Sequence, residues 1–351
     1  MKQIEEIKEK RAALVLHGVN DLVYEEIDNY KLEDGKVLVK IKYCGICSSD
    51  KERIFFTGTY HFPTIPGHEM SGQVIAVNDE DEYLLGKKVC IFPLLPCMKC
   101  DACQREEYAQ CSDYNYFGSR CDGGFSEFLL VPKWNLVVFD DKLDYKIAAL
   151  CEPSAVSLHA INIGDIKKDD TVAVVGTGTI GFLIALFAQN KGAKVFIAGR
   201  NKEALEFARK NEINSFNLLD FDNEIKEKTN GLGFNKVFEV VGSNESINQS
   251  IKLGGNFSTI VLVGNPKGDV CLEKNTYWKI LRKQMIVKGT WNSNYSLEKN
   301  DWKAALDLMT NSDIPFDKII TKVFNLKDKD EAFNYFLDGN QRKLKVLFKN
   351  D

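Results

Sequence analysis

Four cysteines, Cys97, Cys100, Cys103 and Cys111, fall within fifteen residues in the spacing C-x2-C-x2-C-x7-C. Four thiolates so placed can close a tetrahedron around one Zn²⁺. The two-residue gaps turn successive sulfurs to one side, and the longer gap lets the chain loop back. The intervening MKCDACQREEYAQ has too little apolar bulk to fold alone, so metal binding would supply its ordering free energy. Lys99 and Arg105 could offset part of the negative charge. A redox pair and unrelated buried thiols are the other readings. A nucleic-acid zinc finger would need a basic stripe, and none accompanies the lobe. Closed by four thiolates, the site has no open position, so its zinc is structural.

A second set is dispersed: Cys47, then Gly67-His68-Glu69, then Glu152 in CEPSAVSLHA. One thiolate, one imidazole and one or two carboxylates suit zinc with an exchangeable position, the catalytic type. Such a zinc lowers the pKa of a bound oxygen to about 7. Each residue also has a plain reading. His68 could sit in a surface turn, and Cys44 with Cys47 forms a C-x-x-C that could be redox active. Cys47 could pack, and Glu152-Pro153 could open a helix. Spacing alone does not select them.

Gly176, Gly178 and Gly181 spell G-x-G-x-x-G after the apolar TVAVV and before a helical run that begins Thr179-Ile180. The first glycine permits a tight turn, the second lets backbone approach a pyrophosphate, and the third lets helix and strand pack closely. Such a loop binds a dinucleotide; three glycines serving only turns is the other reading. A carboxylate about 20 residues on would take the ribose 2′-hydroxyl of NAD. Here that position is Gly199, followed by Arg200. A guanidinium pairs with a 2′-phosphate, with Lys202 as a second cation, so NADP(H) is expected over NAD(H). Otherwise Arg200 is a solvated charge.

The elements that must carry these residues fall into two textures. From Ala12 to about residue 138, short β-like runs (AALVLHG, KVLVKIKYCG, SGQVIAV, KKVCIF, FSEFLLVP) alternate with turns, predicting an irregular β-rich unit. From about residue 162, TVAVVG, KVFIAG, KVFEVVG, NFSTIVLVG and MIVKGT alternate with helical runs such as TIGFLIALFAQNKG and NKEALEFARKN, predicting a parallel doubly wound sheet. The class is therefore α/β. Residues 12–161 and 295–351 are assigned to the β-rich domain and 162–294 to the dinucleotide-binding domain. Residues 1–11, rich in Glu and Lys, read as a short helical extension ahead of the fold. The tail ends in the strand-like KVLFK, expected to pack back on the first domain.

The chain has 351 residues, 44% hydrophobic and 27% charged, with a net charge of -4. That suits a soluble protein and gives no reason to expect nucleic acid or a membrane surface as partner. No apolar run reaches the roughly 18 residues a membrane span needs. The start lacks a secretory signal's apolar core, so a cytoplasmic location is expected. Ten cysteines are then more apt to hold metal than to form disulfides.

Taken in order, GICSSD, GHE, the four-cysteine lobe, DGGFSEF, CEP, GTGTIG and VKG resemble the zinc-containing medium-chain dehydrogenase/reductase family, from about Ala12 to the C-terminus. Within it, FPLLPCMKCDACQ, DYNYFGSRCDGGFSEFLLVP and WKILRKQMIVKGTW resemble the polyol and polyol-phosphate dehydrogenases. The resemblance implies a GroES-like catalytic domain plus a Rossmann domain, two Zn²⁺ per chain and a homodimer or homotetramer. It makes Cys47, His68 and Glu69 ligands of the catalytic zinc. Glu152 becomes a ligand or the holder of the zinc-bound water. Ser49 would touch the reacting oxygen and start a proton relay. Cys44 would be packing, and Asp50 would hold the turn. The implied reaction moves a hydride between the nicotinamide and a polyol or polyol phosphate. A phosphorylated substrate needs a cation, and Arg53 and Arg120 are the candidates. Trp291-Asn292 stands where sorbitol-type enzymes place an arginine, which weakens a plain sorbitol reading. A sorbitol or secondary-alcohol dehydrogenase and a non-catalytic zinc and nucleotide-binding protein are the alternatives.

Overall fold

The apolar runs become strands of two separate large sheets, each within its own unit. A computed structural model describes residues 1–266, 268–338 and 343–350. One unit comprises Met1–Glu152 and Asn294–Asp351, the other Pro153–Ser293. The division thus falls inside the helix Cys151–Gly164 rather than at its end.

The first unit is built on a mixed sheet. Its spatial order is Leu136–Val138, Lys88–Ile91, Glu69–Val77, Lys36–Ile46, Lys345–Lys349, Ile320–Asn325. Phe128–Pro132 also pairs with Lys36–Ile46. Val37, Val39, Ile41, Val74, Phe125 and Phe348 are buried in its core. The KVLFK strand lies antiparallel to Lys36–Ile46, with Val346 opposite Ile46. On the other side Gly45 lies opposite Glu69. This register brings the end of one strand and the beginnings of two others together, and with them Cys47, Glu69 and Lys345.

The first eleven residues are not a helical extension. Lys2–Gln3 pairs antiparallel with Glu69–Val77, and the Ile4 amide donates to the Ile75 carbonyl at 3.1 Å. Ile7 packs on Leu38, Ile75 and Phe128. Sheet hydrogen bonds and that apolar contact outweigh the helical propensity of Glu and Lys.

The second unit holds a six-stranded sheet in the order Asn214–Asn217, Lys194–Gly199, Thr171–Val175, Phe234–Glu239, Gly254–Leu262, Ile286–Gly289. All five adjacent pairings are parallel. This is the doubly wound order, which places a ligand crevice where the strand order reverses, beside Thr171–Val175. Helices on both faces explain why TVAVV and VFIA are unbroken apolar runs. No helix among the described residues is long and apolar enough to cross a membrane.

Candidate active site

Strand Lys36–Ile46 runs into Cys47, which precedes the short helix Ser48–Glu52. The Asp50 carboxylate accepts from the Cys47 amide at 2.9 Å and holds that turn. Its other oxygen lies 3.2 Å from His68 Nδ1. Asp50 therefore does more than the structural duty expected of it: its carboxylate is the charged partner of the imidazole. Asp50 is fully buried, and burial raises its carboxyl while the His68 ring lowers it further, for a net downward shift. Burial disfavours the charged His68 ring, yet the Asp50 carboxylate holds its pKa well above the ordinary value.

Glu69 begins the neighbouring strand and folds over Gly45. A Cβ on Gly45 would lie 2.0 Å from Glu69 Oε2, so only glycine leaves room there. One ligand atom each from Cys47, His68 and Glu69 lies within 4.8 Å of the others. The donor set of thiolate, imidazole and carboxylate fits Zn²⁺. The carboxylate also has a partner the sequence did not announce. Lys345 Nζ donates to both Glu69 oxygens at 2.5 Å. This ion pair is almost wholly enclosed, with Lys345 3% and Glu69 1% exposed.

Glu152 does not join this group. Its Oε1 accepts from the Tyr116 hydroxyl at 3.4 Å, and the Tyr116 ring lies 5.8 Å from that of His68. Burial pushes the Glu152 carboxyl up to about 7, His68 lowers it and Glu69 raises it. A carboxyl poised near neutrality beside a metal-type site is a candidate for holding a proton.

Ser49 does not cap its helix. Arg53, one helical turn on, donates from Nη1 to Ser49 Oγ at 3.0 Å and lies 3.9 Å from Asp50 Oδ1. Of the two arginines expected near a substrate anion, Arg53 is thus bonded into the cluster. Arg120 instead stacks between Tyr60 and Tyr114, 4.0 and 4.5 Å from the ring centroids. Cys44 is buried in the core, as packing requires.

In the cysteine lobe, all four sulfurs lie within 4.8 Å of one another. The Cys100–Cys103, Cys100–Cys111 and Cys97–Cys103 separations are 3.5, 3.8 and 3.9 Å. A tetrahedron with Zn–S of about 2.3 Å has edges of about 3.8 Å. Backbone amides point at the sulfurs; those of Ser112 and Cys103 lower the Cys100 thiol to about 6. Arg105 is committed to Asp101 at 2.5 Å, so it gives the sulfurs less compensation than its position suggested.

In the second unit, Gly176 adopts φ +127°, and a Cβ there would lie 2.6 Å from Val240 Cγ2. A Cβ on Gly181 would lie 2.1 Å from the Gly176 carbonyl, so helix Thr179–Asn190 can sit close over the strand. Around Gly178 the space is open. Thr179 and Ile180 form the first turn, whose positive end suits a pyrophosphate. Gly199 ends the second strand, and Arg200 Nη1 donates to Glu245 Oε2 at 3.0 Å.

Asp50 and Arg53 were within reach of sequence reasoning, lying three and six residues beyond Cys47 and so about one helical turn from each other. Lys345, nearly three hundred residues from its partner, left no signal beyond a lysine at the head of an apolar strand.

Residues 33–141 match the family described as alcohol dehydrogenase GroES-like domain, and residues 179–311 that described as zinc-binding dehydrogenase. Galactitol 1-phosphate 5-dehydrogenase of Escherichia coli (strain K12) is 32% identical over 310 residues, 86% of this chain and 89% of that protein. D-arabitol-phosphate dehydrogenase of Enterococcus avium is 29% identical over 343 residues, 94% of each. The crystal structure of galactitol-1-phosphate dehydrogenase from Escherichia coli superposes with a TM-score of 0.89 at 29% identity, covering 97% of this chain and 100% of that one. The chain belongs to the zinc-containing medium-chain dehydrogenase/reductase family, among its polyol dehydrogenases, and is an oxidoreductase.

Proposed function

We propose that this protein interconverts a polyol phosphate and the corresponding ketose phosphate with NADP(H), using one catalytic and one structural zinc per chain. The observation that carries this reading is the convergence of Cys47, His68 and Glu69, with Arg53 bonded to Ser49 at their side. Cys47, His68 and Glu69 would hold the catalytic zinc, and Cys97, Cys100, Cys103 and Cys111 the structural one. Bound there, the catalytic zinc supplies Lewis acidity toward the substrate oxygen.

The remaining work falls to the chain's own groups. Asp50 keeps the His68 tautomer and ring angle fixed. Because Arg53 occupies an acceptor lone pair of Ser49 Oγ, the hydroxyl proton is turned away from Arg53, ready for a proton relay. The guanidinium has further N–H groups, and a substrate phosphate is the anion they fit best. Glu152, protonated or not near neutral pH, can hold a proton with Tyr116 behind it. The Gly176–Gly181 loop would hold the dinucleotide, which would supply a nicotinamide able to take up a hydride from the substrate carbon. The empty position at Gly199 and the adjacent Arg200 favour a 2′-phosphate.

The second unit's edge supports a homo-oligomer. Ile286–Gly289 is the last strand of its sheet, and Ile286 and Val287 on it are exposed. An apolar edge of this kind invites a second copy of the chain.

The test is an assay of NADP⁺ and NAD⁺ side by side against galactitol 1-phosphate, sorbitol and a simple secondary alcohol. The proposal expects the phosphorylated polyol with NADP⁺ to be the best pair. Equal or better turnover of sorbitol or of the simple alcohol would overturn the substrate reading, and a strong NAD⁺ preference the cofactor reading.

A further inference from the structure

Cofactor choice in a doubly wound domain is decided at the end of its second strand, here Gly199 and Arg200. A Cβ on Gly199 would lie 2.7 Å from Thr177 Cγ2, within the glycine loop. An acidic side chain is thus kept out of the position from which it would meet a ribose hydroxyl. The acid nearest Arg200 comes from elsewhere: Glu245, in the first turn of helix Asn244–Leu253, holds the guanidinium at 3.0 Å.

We propose that Glu245 is a specificity-determining residue that competes with the 2′-phosphate of the dinucleotide for Arg200. This rests on the reading that the glycine loop binds a dinucleotide with its adenosine ribose toward Arg200. To grip a phosphate, Arg200 must release Glu245, and the released carboxylate then stands beside a second anion. A 2′-hydroxyl asks neither of Arg200 nor of Glu245. Glu245 therefore weakens NADP(H) binding selectively and narrows the gap between the two cofactors. The pair is solvent-exposed, 60% and 55% by side chain, so Arg200 can change partner without leaving a buried charge unpaired.

The test is dissociation constants for NADPH, NADH, adenosine 2′-monophosphate and adenosine 5′-monophosphate, measured by calorimetry on the zinc-loaded protein. Glu245→Gln is expected to tighten NADPH and adenosine 2′-monophosphate about two- to fivefold, the scale of an exposed ion pair. Glu245→Lys is expected to tighten them further, and NADH and adenosine 5′-monophosphate should move less than twofold in either variant. Arg200→Gln should abolish the gain from Glu245→Gln. If neither Glu245 variant improves NADPH relative to NADH while Arg200→Gln weakens NADPH, the role of Glu245 is refuted and that of Arg200 stands. If Arg200→Gln leaves NADPH unmoved, the cofactor reading fails and takes the proposal with it.

Discussion

Replacing Lys345 by methionine removes the cation from the enclosed pair with Glu69 while keeping the side chain's length. With the catalytic zinc removed, the carboxylate, 1% exposed and held at 2.5 Å by Lys345 Nζ, would lose its charged partner. Stranding a buried charge costs about 3–5 kcal/mol. A chain of 351 residues unfolding together has an entropy near 0.7 kcal/mol per degree at about 2.1 cal/mol/K per residue, so the melting point should fall by about 4–7 °C. With zinc held by Cys47, His68 and Glu69, the metal offers Glu69 a replacement for the lost charge. The fall should then shrink to less than about half. The assay is differential scanning calorimetry of wild type and Lys345→Met, each fully loaded and each dialysed against a chelator to one zinc per chain. An equal fall in both states would refute the reasoning, because Glu69 would then be indifferent to the metal.

Other consequences are as direct. Arg53→Gln should lower kcat/KM for a polyol phosphate about 10- to 100-fold, the worth of a charged hydrogen bond, and spare a free polyol more; equal losses on both would reassign Arg53 to positioning Ser49 alone. Gly199→Asp by itself should bind NADH poorly, since its Cβ would press on Thr177. Adding Thr177→Ala should restore NADH binding, and a Gly199→Asp protein that already binds NADH well would contradict that geometry. Val287→Lys should reduce the assembly by sedimentation to a smaller species, whereas an unchanged mass would show that another surface joins the copies.

Much of the architecture was legible because parallel strands are buried on both faces and so appear as unbroken apolar runs. TVAVV and KVFIA announce themselves in this way. The glycine loop could be read because strand and helix flank it at short range. The first eleven residues depart from the expected helix: local propensity favours one, while the pairing of Lys2–Gln3 with residues near Ala76 is decided by contacts far along the chain. The same limit hid half of the candidate site. Cys47, His68 and Glu69 could be named only through family resemblance. The pairing of Asp50 with His68 is no more local, since it spans a loop. Lys345 lay beyond any local pattern, and so did the contact with Tyr116 of Glu152, which the resemblance made a ligand or the holder of the zinc-bound water.

The proposed chemistry needs two separate sets of side chains each to hold a zinc ion, and a metal count decides whether they do. Elemental analysis of the purified wild type should find two zinc ions per chain. Cys47→Ala should retain one and lose hydride transfer, and Cys100→Ser should lose the other together with the order of its lobe. A wild type saturated at one zinc, or a Cys47→Ala protein that still holds two, would contradict the account.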